Sequence, residues 1–222
     1  MTGGGDSENF TKIDAHFLSL LSEDPTLLFI PLAGEPESFT DCHERIKETF
    51  STIEFENIEM CLDLKDLKWS HLKNFDALYI DGGNTFKLMK HIRESHFYEL
   101  LRMFIHNGGI INGDSAGAII LGSHLETAHF GTIGDENLSG LISYQGLNLL
   151  GDWVIHCHYD LTDDFEIKTF TRQVGLPVLA LAEDTAIAVE DGQINVFGPG
   201  MLKVFQNNKS FTILPGESFI YG

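Results

Sequence analysis

Residues 110–121 read Ile110-Ile111-Asn112-Gly113-Asp114-Ser115-Ala116-Gly117-Ala118-Ile119-Ile120-Leu121. A brief apolar strand, a turn of small residues and the start of an apolar helix follow one another within twelve positions. The turn has the G-x-S-x-G spacing. Small neighbours let the backbone pass closely, so the serine sits on a strained strand-to-helix elbow with its Oγ exposed at the carboxyl edge of a sheet. The amide of Ala116 points into the same space. An ordinary structural turn has the same composition, but here a strand precedes it and a helix follows, which makes Ser115 a candidate nucleophile.

Working toward the N-terminus, the same alternation of strand and helix repeats. Leu27-Leu28-Phe29-Ile30-Pro31-Leu32 is a continuous apolar run of the kind seen in a strand buried on both faces. A helix over 38–50, a strand from Ile53 to Leu62, a third strand at Leu78-Tyr79-Ile80 and a helical region from Thr85 to Asn107 follow, the last ended by Gly108-Gly109. That order is the signature of a parallel sheet covered by helices. The opening Met1-Thr2-Gly3-Gly4-Gly5-Asp6-Ser7-Glu8 reads as a glycine turn feeding an amphipathic helix, with Asp6 or Ser7 as its N-cap. From Val178 onward short strands at 178–182, 186–190, 194–197, 202–205 and 211–214, separated by turn residues, predict an antiparallel meander. No repeat or linker divides the chain, so residues 1–222 are expected to form a single α/β domain: a mostly parallel sheet flanked by helices with a C-terminal antiparallel β extension.

Composition narrows the function. The 222 residues carry 14 Lys and Arg against 33 Asp and Glu, a formal charge of −19, which argues against nucleic acid and anionic membrane surfaces as partners. A hydrophobic fraction of 43% with 11% aromatic residues supports a packed core rather than an acidic disordered chain. The three cysteines, Cys42, Cys61 and Cys157, have no disulfide-framework or zinc-finger spacing. A reducing, cytoplasmic setting is expected, with no membrane span and no signal peptide.

A serine hydroxyl needs a base, and an imidazole is the usual one. Trp153-Val154-Ile155-His156-Cys157-His158-Tyr159-Asp160 delivers two histidines at the end of an apolar strand. Alternate residues on a strand share a face, so spacing alone does not choose between His156 and His158. A His-x-His pair also suits a metal, but no companion H-E-x-x-H motif accompanies it, and no metal or cofactor is expected. Cys157, facing the other way, is the weaker nucleophile. Tyr79-Ile80-Asp81-Gly82-Gly83-Asn84-Thr85 places two glycines between a strand and a helix, where N–H groups and the helix dipole converge on a developing oxyanion.

Taken together, Gly82-Gly83-Asn84-Thr85-Phe86-Lys87-Leu88, Gly113-Asp114-Ser115-Ala116-Gly117-Ala118, the His158 segment 43 residues beyond the serine and Ala182-Glu183-Asp184-Thr185-Ala186 occur in the order of the peptidase S51 family. The chain resembles that family, which includes aspartyl dipeptidase (peptidase E) and cyanophycinase, over roughly residues 27–200. The resemblance implies a fold like the class I glutamine amidotransferases with a serine in place of their cysteine. It also implies a serine-type exopeptidase or dipeptidase acting on short peptides, with aspartyl bonds (α or β) as the suggested target. His158 rather than His156 matches the family's base. Gly83 and Ala116 would supply the oxyanion amides, with Gly82 and Asn84 beside the substrate. Two acids compete for the third triad position, Asp135 between serine and histidine, and Glu183 at the end of a later strand. Arg172 lies where the dipeptidase branch has a side chain that reads the substrate aspartate, and Asp114 stands where that branch has an aromatic residue. The expected partner is a small peptide, with a homodimer an open option. An esterase or isopeptidase using the same residues, or a non-catalytic amidotransferase-like binding domain, are the competing readings.

Overall fold

The computed structural model describes residues 1–5, 10–51 and 55–221. The Asp6 or Ser7 cap and the start of the expected strand at Ile53 lie outside the described residues.

A four-stranded parallel sheet carries the first half of the chain. Its strands are β1 (Thr26–Ile30), β2 (Asn57–Met60), β3 (Ala77–Ile80) and β4 (Ile110–Gly113), in the order β2-β1-β3-β4. Leu28 and Ile30 pair in parallel register with Leu78 and Ile80, and all four side chains are fully buried. Each such burial is worth roughly 1.5–3 kcal/mol, which is why the apolar run 27–30 reads correctly as a two-faced core strand. The helices are α1 (Phe10–Ser19), α2 (Phe39–Thr49), the single turn α3 (Trp69–Leu72), α4 (Thr85–Arg93) and α5 (Phe97–His106). In α5, Phe97, Leu100, Leu101 and Phe104 form the buried stripe at helical spacing.

The helical region expected over 85–107 is broken at residues 94–96. The Ser95 hydroxyl donates to Ile92 O at 2.8 Å and accepts from Phe97 N at 3.2 Å, and such local side-chain bonds compete with the helical ladder. The helix after Ser115 is a single turn, α6 (Ala116–Ile119).

The second half forms two further sheets. Strands β5 (Leu149–Asp152) and β6 (Val154–His156) lead to α7 (Asp164–Val174), and β7 (Val178–Leu181) runs parallel to β6. β8 (Ala186–Glu190), β9 (Gln193–Phe197), β10 (Leu202–Gln206), β11 (Lys209–Ile213) and β12 (Ser218–Ile220) complete the chain, every pair among them antiparallel. The sheet orders are β11-β10-β7-β6 and β12-β9-β8. This is the class I glutamine amidotransferase-like arrangement with its antiparallel extension.

Within the expected glycine turn, Gly4 and Gly5 sit at φ 91° and 131°, and residues 6–8 lie outside the described ones. Thr2, ahead of the glycines, bridges Asp114 in parallel and Ala186 in antiparallel sense and so lies on the seam between the first and third sheets. Its partners lie more than a hundred residues away, beyond the reach of any local pattern.

Candidate active site

In an open α/β sheet the usual ligand crevice lies beyond the carboxyl ends of the strands, where the strand order reverses. Here β1 and β3 are neighbours while β2 lies on one side and β4 on the other. A cleft of about 1310 Å³ opens there, lined by Gly34 after β1, Asp81, Gly82 and Gly83 after β3, and Asp114 and Ser115 after β4. His158 and Glu183 close it from the second sheet. A smaller cavity of about 620 Å³ lies around Thr2, Ile13, Asn112 and Ile187 and contains none of Ser115, His158 or Glu183.

Ser115 caps α6 at φ 47° and ψ −109°. A side chain at positive φ is strained and persists only where its surroundings over-determine it. The elbow depends on Gly117, because a Cβ there would lie 2.1 Å from Ile80 O. With that close approach the turn packs onto the end of β3 and lifts the Ser115 hydroxyl into the cleft.

The Ser115 hydroxyl and His158 Nε2 are 2.8 Å apart, and His158 Nδ1 is 3.3 Å from Glu183 Oε1. The strand carrying the two histidines ends at His156, and His158 itself sits at φ 56°. The pair therefore does not share a strand face as alternation predicts. His158 turns toward Ser115, while His156 is buried between Thr127 O at 3.1 Å and Asp163 Oδ2 at 3.2 Å. That hydrogen bond from His156, the largest influence on it, holds the Asp163 carboxyl below its ordinary range.

The two acids separate cleanly. Glu183 faces the imidazole. Asp135 lies on the same cleft but its Oδ2 accepts the Thr85 amide at 2.8 Å, at the positive end of α4. Asn84 caps that helix, its Oδ1 accepting from Lys87 N at 2.9 Å and its Nδ2 donating to Glu136 O at 3.0 Å. Its side chain is thus committed to structure rather than offered to a substrate. Gly82 lies against the serine, a methyl built on it falling 3.3 Å from Ser115 Cβ. Gly83 lines the cleft and Ala116 is the first residue of α6. Cys157 is buried, its thiol 3.5 Å from Ser115 O, and burial pushes its pKa far above the ordinary value. It stays a thiol.

Arg172 is misplaced for substrate. It is exposed in the last turn of α7 and does not line the cleft. Helical periodicity carries the side chain to the solvent face of α7, since Ile167 and Phe170 take the buried face. Lys168 likewise points to Asp164, at 2.6 Å. Among the described residues, the lysine or arginine that does line the cleft is Arg45, from α2, its Nη2 held by both oxygens of buried Asp81 at 3.1 and 3.2 Å. No sequence motif points to Arg45, because the Asp81 partner that brings it to the site is 36 residues further on. Beside Ser115, burial raises the Asp114 pKa, an effect that the Thr2 hydroxyl hydrogen-bonded to it partly opposes.

The sequence pattern of peptidase family S51 matches residues 1–197. The chain belongs to peptidase family S51. Among its relatives, a peptidase E of Nostoc sp. is 27% identical over 191 residues, covering 81% of this chain and 75% of that one. A peptidase E of Pasteurella multocida is 25% identical over 204 residues, covering 87% and 83%. In three dimensions the chain superposes on the crystal structure of a peptidase from an acI-B1 actinobacterium with a TM-score of 0.76 at 16% identity, over 99% of this chain and 95% of that one. Membership makes this S51 chain a peptidase, hence a hydrolase. None of its described helices is long and apolar enough to cross a membrane.

Proposed function

We propose that this S51 peptidase is a serine-type exopeptidase or dipeptidase on short peptides, with a Ser115–His158–Glu183 triad. The observation that carries the reading is the continuous line from Ser115 Oγ through His158 Nε2 and Nδ1 to Glu183 Oε1. Ser115 donates its proton to Nε2 as it attacks the scissile carbonyl, and His158 then delivers that proton to the leaving amine. Glu183 accepts from Nδ1–H, fixes the tautomer and stabilises the imidazolium. The amides of Gly83 and Ala116 receive the oxyanion, helped by the first turn of the elbow. Asp135 is left with the role of holding α4.

The suggested preference for aspartyl peptides transfers from Arg172 to Arg45. The cleft is rich in carboxylates, including Asp114, Asp135, Asp160 and Glu183, so a substrate carboxylate is repelled from most of its wall. Arg45 is half-exposed there and preorganised by Asp81, and it offers the one guanidinium among the described lining residues. Three unpaired cysteines, two of them buried, fit a reducing cytoplasm.

The test is hydrolysis of a panel of Asp-X, β-Asp-X and Asn-X dipeptides by the wild type and by Ser115→Ala. Turnover by the wild type with none by Ser115→Ala is expected. Equal turnover by both contradicts the triad, and Asn-X cleaved as well as Asp-X contradicts the carboxylate preference.

A further inference from the structure

Three successive carbonyls near the start of the chain each take an amide from a different loop of the site. Ser115 N–H donates to Thr2 O at 3.1 Å, His158 N–H to Gly3 O at 2.9 Å, and Asp184 N–H, next to Glu183, to Gly4 O at 3.0 Å. The segment gives as well as receives, with Thr2 N–H on Gly113 O at 2.9 Å and Gly3 N–H on Thr185 O at 2.8 Å. The Thr2 hydroxyl is bonded to the Asp114 carboxylate. Ser115, His158 and Asp184 all sit at positive φ, at 47°, 56° and 57°, so each loop needs outside restraint to hold its conformation. The three loops come from β4, from β6 and from the turn between β7 and β8, and the segment 2–4 touches every one.

The imidazole also occupies the space of a missing side chain. A methyl built on Gly4 would fall 2.1 Å from His158 Cε1 and 2.7 Å from Nδ1. Ordinary carbon contacts are ~3.5–4.0 Å, so any side chain at Gly4 must move the ring by more than an ångström or distort the segment.

We propose that Thr2–Gly4 is the positioning segment of the triad, its carbonyls setting the mutual spacing of the three loops and Gly4 serving as the seat of the His158 ring. This rests on the triad reading above. Gly4 touches no reacting atom of the substrate and acts through His158. Its glycine identity keeps Nε2 within hydrogen-bonding reach of Ser115, and a displacement of about 1 Å in such a constellation costs on the order of 100-fold in rate.

Three variants separate the possibilities, measured as kcat and KM on a cleaved dipeptide, as kcat per folded chain, and as thermal midpoint. Gly4→Ala is expected to lower kcat per folded chain by about 100-fold with KM nearly unchanged. Gly192→Ala carries the same kind of backbone strain, at φ 79° with nothing within 4 Å of the added methyl, and is expected to keep kcat. Ser115→Ala tests the triad itself. Wild-type kcat in Gly4→Ala with Ser115→Ala inactive overturns the positioning role and leaves the triad standing, whereas an active Ser115→Ala overturns the triad. Should Gly4→Ala not fold, Gly3→Ala decides, since its added methyl would lie 2.4 Å from Ala182 O and must shift the segment whose Gly3 carbonyl takes the His158 amide. A several-fold lower kcat per folded chain supports the proposal, and an unchanged one overturns it.

Discussion

Replacing Glu183 by Gln keeps the side-chain shape and an oxygen acceptor for His158 Nδ1–H while deleting the charge. Two unit charges 3.3 Å apart attract by about 1.3 kcal/mol in bulk water and by about 5 kcal/mol at an effective dielectric of about 20. The Glu183 side chain is 61% exposed, so solvent screens it and the lower figure governs. With each 1.36 kcal/mol worth a factor of about ten in rate, Glu183→Gln is expected to lower kcat by about 10-fold. Buried triad carboxylates lose far more, about 10⁴-fold for the corresponding amide. The assay is steady-state dipeptide hydrolysis beside Asp135→Asn, which keeps kcat because Asp135 serves the Thr85 amide rather than the imidazole. An unchanged kcat in Glu183→Gln with a large loss in Asp135→Asn would refute the assignment of the acid. A loss near 10⁴-fold would refute the screening argument.

Arg45→Lys keeps the charge that neutralises Asp81 but loses the planar fork. A charged hydrogen bond is worth ~1.5–3 kcal/mol, so KM for Asp-X is expected to rise about 10- to 100-fold while KM for Asn-X holds; an equal rise for both contradicts carboxylate reading. Thr85→Val removes a buried hydroxyl that has no hydrogen-bond partner among the described residues. Relief of about 1 kcal/mol raises the calorimetric midpoint by ~2–4 °C in a chain of this size, and a lower midpoint shows that the hydroxyl is satisfied after all. At Asp164, burial alone would raise the carboxyl, but hydrogen bonds from Lys168, Lys203 and Tyr159 outweigh it and hold the pKa at about 2, below its ordinary 3.8. A depressed folded-state pKa gives stability that is complete above the ordinary value and drains as pH falls from 3.8 toward 2. Asp164→Asn is expected to flatten urea-unfolding stability over that window and to be less stable than wild type near neutrality; parallel pH curves for the two contradict this.

Where local chemistry determined the outcome, the sequence was readable. The run Leu27–Ile30 lies wholly in the core, and the small residues around Ser115 make the strand, turn and helix that their spacing implies. Failures cluster where long-range contacts decide. Period-two alternation puts His156 and His158 on one face, but the chain leaves the strand after His156 and positive φ at His158 rotates its ring away. Gly3-Gly4-Gly5 has the composition of a turn, and Gly4 and Gly5 take positive φ, but no local pattern foretells that amides from three distant loops claim the carbonyls of residues 2–4. Arg172 sits at a suggestive interval after His158 but on the solvent face of its helix, while Arg45, with no motif of its own, is drawn in by Asp81. Either Asp135 or Glu183 could complete a triad on paper. Only the packing of β7 and its following turn against His158 brings Glu183 to the ring.

The most direct measurement is covalent labelling by a fluorophosphonate, read by mass spectrometry of the intact chain and its peptides. A serine activated by His158 is expected to take up one label, on the peptide containing Ser115, with loss of dipeptide hydrolysis in step. His158→Gln should label orders of magnitude more slowly, and Ser115→Ala not at all. Hydrolysis that survives complete labelling of Ser115, or that persists in Ser115→Ala, would contradict a serine mechanism at this site.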